Sequence, residues 1–302
     1  MKNLYLIQDE FINTRLDRWL KKKVCKVPQS LIEKNIRKGN IKVNGKKNKS
    51  SYKLKKNDEI TIKNLNFKPN ISQKKTNYIP TRKDLSSAHN LIIENNENFV
   101  IINKPAGIAV QQGTKSKKNI LDILGKMKEF DGLAPFPVHR IDKETTGILI
   151  VAKNRNYAQL FTTLFRIRKI YKVYLGLIFG NFDNNKGTLI DDLFYYEGKK
   201  QIKTRAITHY TVIDSNNHYS LVKLIPQTGR KHQIRKQLLI HGCPIVGDSK
   251  YRITEERKKS KNNLMLHAHK ISFLINNTKY QFTAQLPDNF NKFLKEKNLK
   301  PI

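Results

Sequence analysis

The chain has 302 residues, 38% of them hydrophobic, and its 59 Lys and Arg against 24 Asp and Glu give a formal net charge of +35. The length admits two domains of ordinary size. The charge excludes a neutral small-molecule enzyme with no reason to be basic and points to a polyanion partner, from which cationic side chains release condensed counterions; Lys, Asn and Ile are abundant throughout, so an A/T-rich coding sequence accounts for part of the excess.

Residues near 13 to 62 read as a compact module. Thr14 is placed to cap a helix carrying Leu16, Leu20 and Val24, four apart on one face. Ser30 and Glu33 have capping-box spacing at the start of a second helix, where Ile32 and Ile36 share a face and Gly39 stands at the C-terminal end. Ile41 and Val43 alternate as a strand into the Asn44-Gly45 turn, Tyr52 and Leu54 give another short strand, and Asn57-Asp58 turns into Ile60-Thr61-Ile62. Arg15-Leu16-Asp17, the run from Ser30 to Gly39 and Val43-Asn44-Gly45, taken in this order, resemble the S4 RNA-binding domain. That resemblance implies exposed helix faces that carry Arg15, Arg18, Lys34, Arg37 and Lys38 to structured RNA. For any single one of them the alternative is an ordinary basic surface.

Residues 64–89 lack periodicity and hold Pro69, Pro80, Lys74-Lys75 and Ser86-Ser87, so they read as a linker, flexible or loosely packed. The expected organisation is an S4-like domain over 1–63, this linker, and a second domain over 90–302. In the second domain Phe99 to Ile102 is a short apolar strand ended by Lys104-Pro105-Ala106-Gly107. Ile148 to Ala152 is continuously apolar, as a strand covered on both faces must be. A helix with the stripe Ala158, Phe161, Leu164 and Phe165 follows, then strands over Tyr171 to Phe179 and Ser220 to Ile225. A last helix runs from about His232 to His241, closed by Gly242 with Pro244 beyond. Strands outnumber helices, so the fold class is α+β with a mostly antiparallel, mixed sheet.

The segment His139-Arg140-Ile141-Asp142-Lys143-Glu144-Thr145-Thr146-Gly147 leads directly into the buried strand at Ile148. A loop anchored this way holds a side chain in fixed geometry at a cleft edge. Asp142 stands between Arg140 and Lys143, cations that favour its ionised form, which suits a nucleophile and not a general acid. An aspartate in a loop is otherwise a turn or capping residue. His139-Arg140-Ile141-Asp142 followed by Thr146-Gly147 resembles the signature of the pseudouridine synthases related to the ribosomal large subunit enzymes. Three further stretches of that family follow in order. They are Tyr174 to Gly180 (with Gly176 where the family usually has Ala), Pro226 to Arg235 continuing through Gly242 to Asp248 and Tyr251, and Leu264 to Ala268. Lys104-Pro105-Ala106-Gly107 also fits the family's turn, and with the S4 module the resemblance covers nearly the whole chain.

The resemblance implies isomerisation of uridine to pseudouridine in large-subunit (23S) ribosomal RNA, with Asp142 as the catalytic carboxylate and Arg235 pairing with it. It implies no cofactor and no metal. The Ile108 to Gly113 region and the S4 module look more like the C type of these synthases than the D type. The chemistry itself requires a flipped base, a stacking platform, for which Tyr174 is the candidate, and a cation holding the displaced backbone, for which Arg140 is. An isomerase adds no water, so one carboxylate suffices where a glycosidase needs two. Tyr174 read alone is a common core-strand residue, Arg235 a helix-surface phosphate contact, and His139 a structural hydrogen-bonding residue. Gly229 reads as a backbone requirement at a turn. Two other functions fit: a synthase acting on tRNA, or a non-catalytic S4-type RNA-binding or ribosome-assembly factor.

Two cysteines, Cys25 and Cys243, allow neither a disulfide framework nor a paired-Cys zinc site, and nothing supports a metal at His267 and His269. The apolar runs are too short for a bilayer, and the first residues are charged with no apolar secretion core. A cytoplasmic monomer with no membrane contact is the expectation.

Overall fold

The computed structural model describes residues 2–24, 27–63, 78–112, 118–197, 200–253 and 263–300. The chain divides into two units, Met1–Thr76 and Asn77–Ile302.

In the first unit, β1 (Lys2–Leu6), α1 (Leu16–Trp19), α2 (Gln29–Lys38), β2 (Ile41–Val43) and β3 (Glu59–Lys63) follow one another, and a π-helical turn over Leu20–Val24 extends α1. The strands form an antiparallel sheet in the order β1-β3-β2. Leu16, Leu20, Ile32, Ile36, Leu54 and Ile60 fill the core between sheet and helices. Three local expectations change. Thr14 does not cap α1; Arg15 holds that place without a side-chain cap to the helix N–H groups, because the carbonyls of Tyr52 and Ser50 take those of Leu16 and Asp17. Ser30 lies inside α2, which starts after Pro28, whose carbonyl accepts from Leu31 and Ile32. Tyr52 and Leu54 form no strand; Lys53 makes one isolated bridge to Arg15, and Leu54 exchanges backbone bonds with Asn13 and Thr14. Gly39 closes α2 in the left-handed region at φ 78, and Asn44 and Gly45 turn at φ 49 and 71.

The second unit is built on a ten-stranded sheet. Its elements are α3 (Arg82–His89), β4 (Ile92–Asn95), β5 (Phe99–Lys104), α4 (Ile120–Leu124), β6 (Phe136–Pro137), β7 (Thr146–Ala152), α5 (Arg155–Arg166) and β8 (Tyr171–Phe179). They continue as β9 (Lys186–Glu197), β10 (Lys200–Ser215), β11 (Tyr219–Pro226), α6 (Gln233–Ile240), β12 (Leu266–Ile275), β13 (Thr278–Thr283) and α7 (Asp288–Glu296). The strand order is β4-β5-β7-β12-β8-β11-β10-β9, with β13 on β12 and β6 on β7. All pairs are antiparallel except β7 with β12, which matches the α+β, mostly antiparallel expectation. Every residue of β7 is buried, because separate apolar clusters pack on its two faces: Leu149 and Val151 in one, Ile148 and Ile150 in the other. Among the described residues no helix is long and apolar enough to cross a membrane.

The segment read as a linker is helical at its end. Arg82–His89 forms α3, closed at its start by a reciprocal capping box between Thr81 and Asp84. Asp84 also bonds Tyr78 and Lys118, and Ala88 and Leu85 pack with Ile120 and Leu124 of α4. The sequence of α3 is polar and short, so its periodicity was weak; the cap and the tertiary bonds hold it. Residues 64–77, like Cys25 and Gly113, lie outside the described residues.

Candidate active site

The loop between β6 and β7 is tied down at three points. His139 accepts the Ile150 N–H at Nε2 over 2.9 Å and stacks on Phe165 with centroids 4.5 Å apart. Burial, helped by the charge of Lys172, pushes this imidazole down to about 3, so it is neutral and carries its proton on Nδ1. This is the structural hydrogen bond favoured by the sequence reading. Lys104, at the end of β5, is fully buried and donates from Nζ to the carbonyls of Pro105, Ile108 and Lys143 at 2.7, 3.0 and 3.0 Å. Burial brings it down to about 8 against the opposing fields of Glu144 and Asp142. Gly147 adopts φ 104, and a Cβ there would collide with the backbone of Ala268, its neighbour across the parallel β7–β12 pair. Only glycine permits this approach.

Asp142 emerges from this loop with its side chain 24% exposed. Its Oδ2 accepts from Arg235 Nη1 at 3.1 Å, and its Oδ1 lies 3.6 Å from His232 Nε2. Arg235 comes from the first turns of α6, on a face turned toward the loop. Its Nε and Nη2 donate to the two oxygens of buried Asp248 at 2.6 and 2.7 Å, a bidentate pair. Burial disfavours the guanidinium charge, but hydrogen bonds and fields from Asp248 and then Asp142 outweigh it and raise its pKa above the ordinary value. The ring of Tyr251 lies 5.0 Å from the guanidinium carbon, and its hydroxyl bonds His232 Nδ1 at 2.8 Å. The sequence neighbours Arg140 and Lys143 are both exposed; the cation in contact with Asp142 is Arg235, the residue that the family resemblance paired with it.

These groups face a cleft of about 480 Å³, lined among others by Arg140, Asp142, Tyr174, Thr228, His232 and Arg235, a size typical of small-ligand sites. Tyr174 reaches it from β8, where it pairs with Leu224 of β11 and Ala268 of β12. Burial and then the charge of Asp142 raise its pKa, so the phenol stays protonated. Gly229 has no positive φ and no crowding; the left-handed residue of that turn is His232, at φ 53. His267 and His269 both bond the carbonyl of Ala284, and His267 also meets Thr146 Oγ1. Asp248, His232 and Tyr251 were not expected in the site; each lies within a stretch that resembles the family, but nothing in their local pattern shows that they converge on Asp142.

In the first unit Arg18, Lys34, Arg37 and Lys38 are exposed along α1 and α2. Arg15 is instead committed to Asp17, through Nε at 3.1 Å and Nη2 at 2.7 Å, which holds the Asp17 carboxyl below its ordinary value against the penalty of burial.

The sequence matches the RNA pseudouridylate synthase family over residues 98–239 and the S4 domain over residues 14–60. Ribosomal large subunit pseudouridine synthase C of Buchnera aphidicola subsp. Schizaphis graminum is 30% identical over 97% of this chain and 96% of its own length. The protein of the same description from Rickettsia bellii is 34% identical over 93% of this chain and 97% of its own. The chain belongs to the RNA pseudouridylate synthase family. A solved relative of this synthase, human RNA Pseudouridylate Synthase Domain Containing 4, superposes with a TM-score of 0.63 at 26% identity, covering 72% of this chain and 98% of that one. The matched family region of the synthase contains Asp142, Tyr174 and Arg235, and the cleft described above lies almost wholly within it.

Proposed function

We propose that this synthase isomerises specific uridines of large-subunit (23S) ribosomal RNA to pseudouridine, with Asp142 as the catalytic carboxylate. The observation that carries the reading is the Asp142–Arg235–Asp248 arrangement in the cleft, a carboxylate aimed by a guanidinium that is itself locked. The choice of ribosomal RNA rests on the relatives named for the large subunit, which match along nearly their whole length.

The target base leaves its stack and enters the cleft, where Tyr174 offers it an aromatic platform and the exposed Arg140 holds the displaced strand at the rim. Asp142 then faces the sugar and assists cleavage of the glycosidic C–N bond. The freed base turns and its C5 bonds to C1′; the proton lost from C5 is matched by one gained at N1, so no external reagent is consumed. The S4-like unit adds affinity through Arg18, Lys34, Arg37 and Lys38 on its exposed helix faces. We place the domain boundary ahead of Tyr78, since α3 packs with the second unit. We also infer that the synthase acts as a monomer, in the cytoplasm where a ribosomal substrate would be met.

Mapping of pseudouridines in RNA from a deletion strain, complemented with the wild type or with Asp142→Asn, tests this. The expected result is loss of particular positions in 23S RNA, restored by the wild type alone, while Asp142→Asn still binds RNA. Restoration by Asp142→Asn would end the catalytic assignment. Lost positions in tRNA would favour a tRNA-directed synthase, and a growth defect with no position lost would favour an assembly factor.

A further inference from the structure

The turn before α6 places a histidine where a glycine or asparagine is expected. His232 sits at φ 53, ψ 32, immediately ahead of Gln233, and makes no side-chain cap to the helix. A residue with a ring side chain in the left-handed region is strained and persists where its surroundings over-determine it. Here Nδ1 is hydrogen-bonded and Nε2 faces a carboxylate oxygen. Nδ1 lies 2.8 Å from the Tyr251 hydroxyl, and Nε2 lies 3.6 Å from Asp142 Oδ1. The two rings also meet edge to face at 5.5 Å and 70°.

The division of labour around the carboxylate follows. Arg235 occupies Oδ2 and is itself claimed by Asp248, so it cannot swing to hold both oxygens of Asp142. Oδ1 therefore needs a second donor, and His232 is the group facing it. A neutral imidazole that accepts the Tyr251 O–H at Nδ1 carries its proton on Nε2, pointing at Oδ1. Tyr251 also stacks under Arg235, so one ring braces both donors. The remaining gap exceeds a hydrogen bond by about 0.6 Å, a looseness common before substrate closes a site.

We infer that His232, braced by Tyr251, is a positioning residue that fixes the free oxygen of Asp142 for the reaction. The inference rests on Asp142 being the catalytic carboxylate. The groups facing His232 are Asp142, which favours its protonation, and Arg235, Lys250 and Lys231, which with burial oppose it; Tyr251 holds Nδ1. The balance lowers its pKa from the ordinary value, burial being the largest cause, so the neutral donor form prevails at neutral pH. In acid the second proton goes to Nδ1, the Tyr251 hydroxyl must reverse from donor to acceptor, and the new charge beside Asp142 weakens it as a nucleophile.

Single-turnover pseudouridine formation in RNA, measured between about pH 5 and 8 with RNA affinity and thermal unfolding alongside, tests this. His232→Asn tolerates the left-handed backbone and keeps a group near Tyr251 but is too short to reach Asp142. It should lose between about tenfold and a hundredfold in kcat with KM and unfolding unchanged. His232→Gln regains reach without titrating; it should recover most of the rate and lack the wild-type fall in acid. Tyr251→Phe should lower kcat less than His232→Asn. A His232→Asn enzyme with wild-type kcat and acid fall overturns the inference; if that variant does not fold, an acid fall retained in His232→Gln does so. An inactive Asp142→Asn beside an unaffected His232→Asn would sink this inference alone, whereas an active Asp142→Asn would remove the reading beneath it.

Discussion

Arg235 reaches Asp142 across 93 positions of sequence, and it does so with one nitrogen while two others are clamped by Asp248. The guanidinium is therefore a fixed strut between a buried carboxylate and one that reaches the cleft. Asp248 has no access to the cleft contents; its effect on Asp142 is transmitted through Arg235.

Replacing Asp248 by Asn keeps the shape and removes the charge. Breaking one partner of a buried ion pair costs roughly 3–5 kcal/mol. The freed Arg235 would also turn toward Asp142. Denaturant unfolding should show a loss in that range, and single-turnover rates should fall at least tenfold with RNA affinity retained. Unchanged rates would mean that the strut is not needed.

Gly147→Ala tests the close approach of β7 to β12. The side chain is placed at a positive φ of 104 and against the Ala268 backbone, with no flexible neighbour to yield. Strain and overpacking together should remove roughly 3–5 kcal/mol. Insoluble expression or a large fall in the denaturation midpoint is the expected outcome.

His267 predicts a pH dependence of stability. It is fully buried, and burial pushes it down to about 4, against a partial opposing effect of the Ala284 carbonyl. Its folded pKa is below its unfolded value near 6.5, so the unfolded chain binds the proton first. The stability it contributes is complete above about pH 6.5 and is lost as pH falls toward 4. Between neutral pH and pH 5 the loss from this residue should be about 2 kcal/mol. Urea unfolding of His267→Asn should show a shallower decline over the same interval; an identical decline would refute the assignment.

The basic face of the first unit predicts a salt effect. Converting Lys34, Arg37 and Lys38 to Ala together should weaken RNA binding and reduce the slope of log affinity against log salt by up to about 2–3. Arg15→Ala should instead lower stability, because Arg15 is spent on buried Asp17. If Arg15→Ala shifts only the salt slope, that distinction fails.

Much of the fold was legible because local rules suffice for it. The unbroken apolar run of β7, the four-residue spacing on α2 and the Asn44-Gly45 turn each encode one element through its own periodicity or backbone demand. Two of the elements that were not legible show why. β1 exposes Leu4 and Leu6, so its apolar residues point the wrong way for an inward-facing strand, and it exists by pairing with β3. α3 depends on packing against α4 and on a bond from Lys118 that no window of its own sequence contains.

The sequence by itself determined the family resemblance, the α+β class and the loop that bears Asp142, since motif order and strand periodicity are properties of neighbours along the chain. The family resemblance also paired Arg235 with that carboxylate, but nothing along the chain showed how the two meet. Tertiary structure supplied the reason: α6 turns a guanidinium clamped by Asp248 toward Asp142 while the adjacent Arg140 and Lys143 are exposed. It also brought His232 and Tyr251 beside the same oxygens, an arrangement set by packing distance and not by position in the chain.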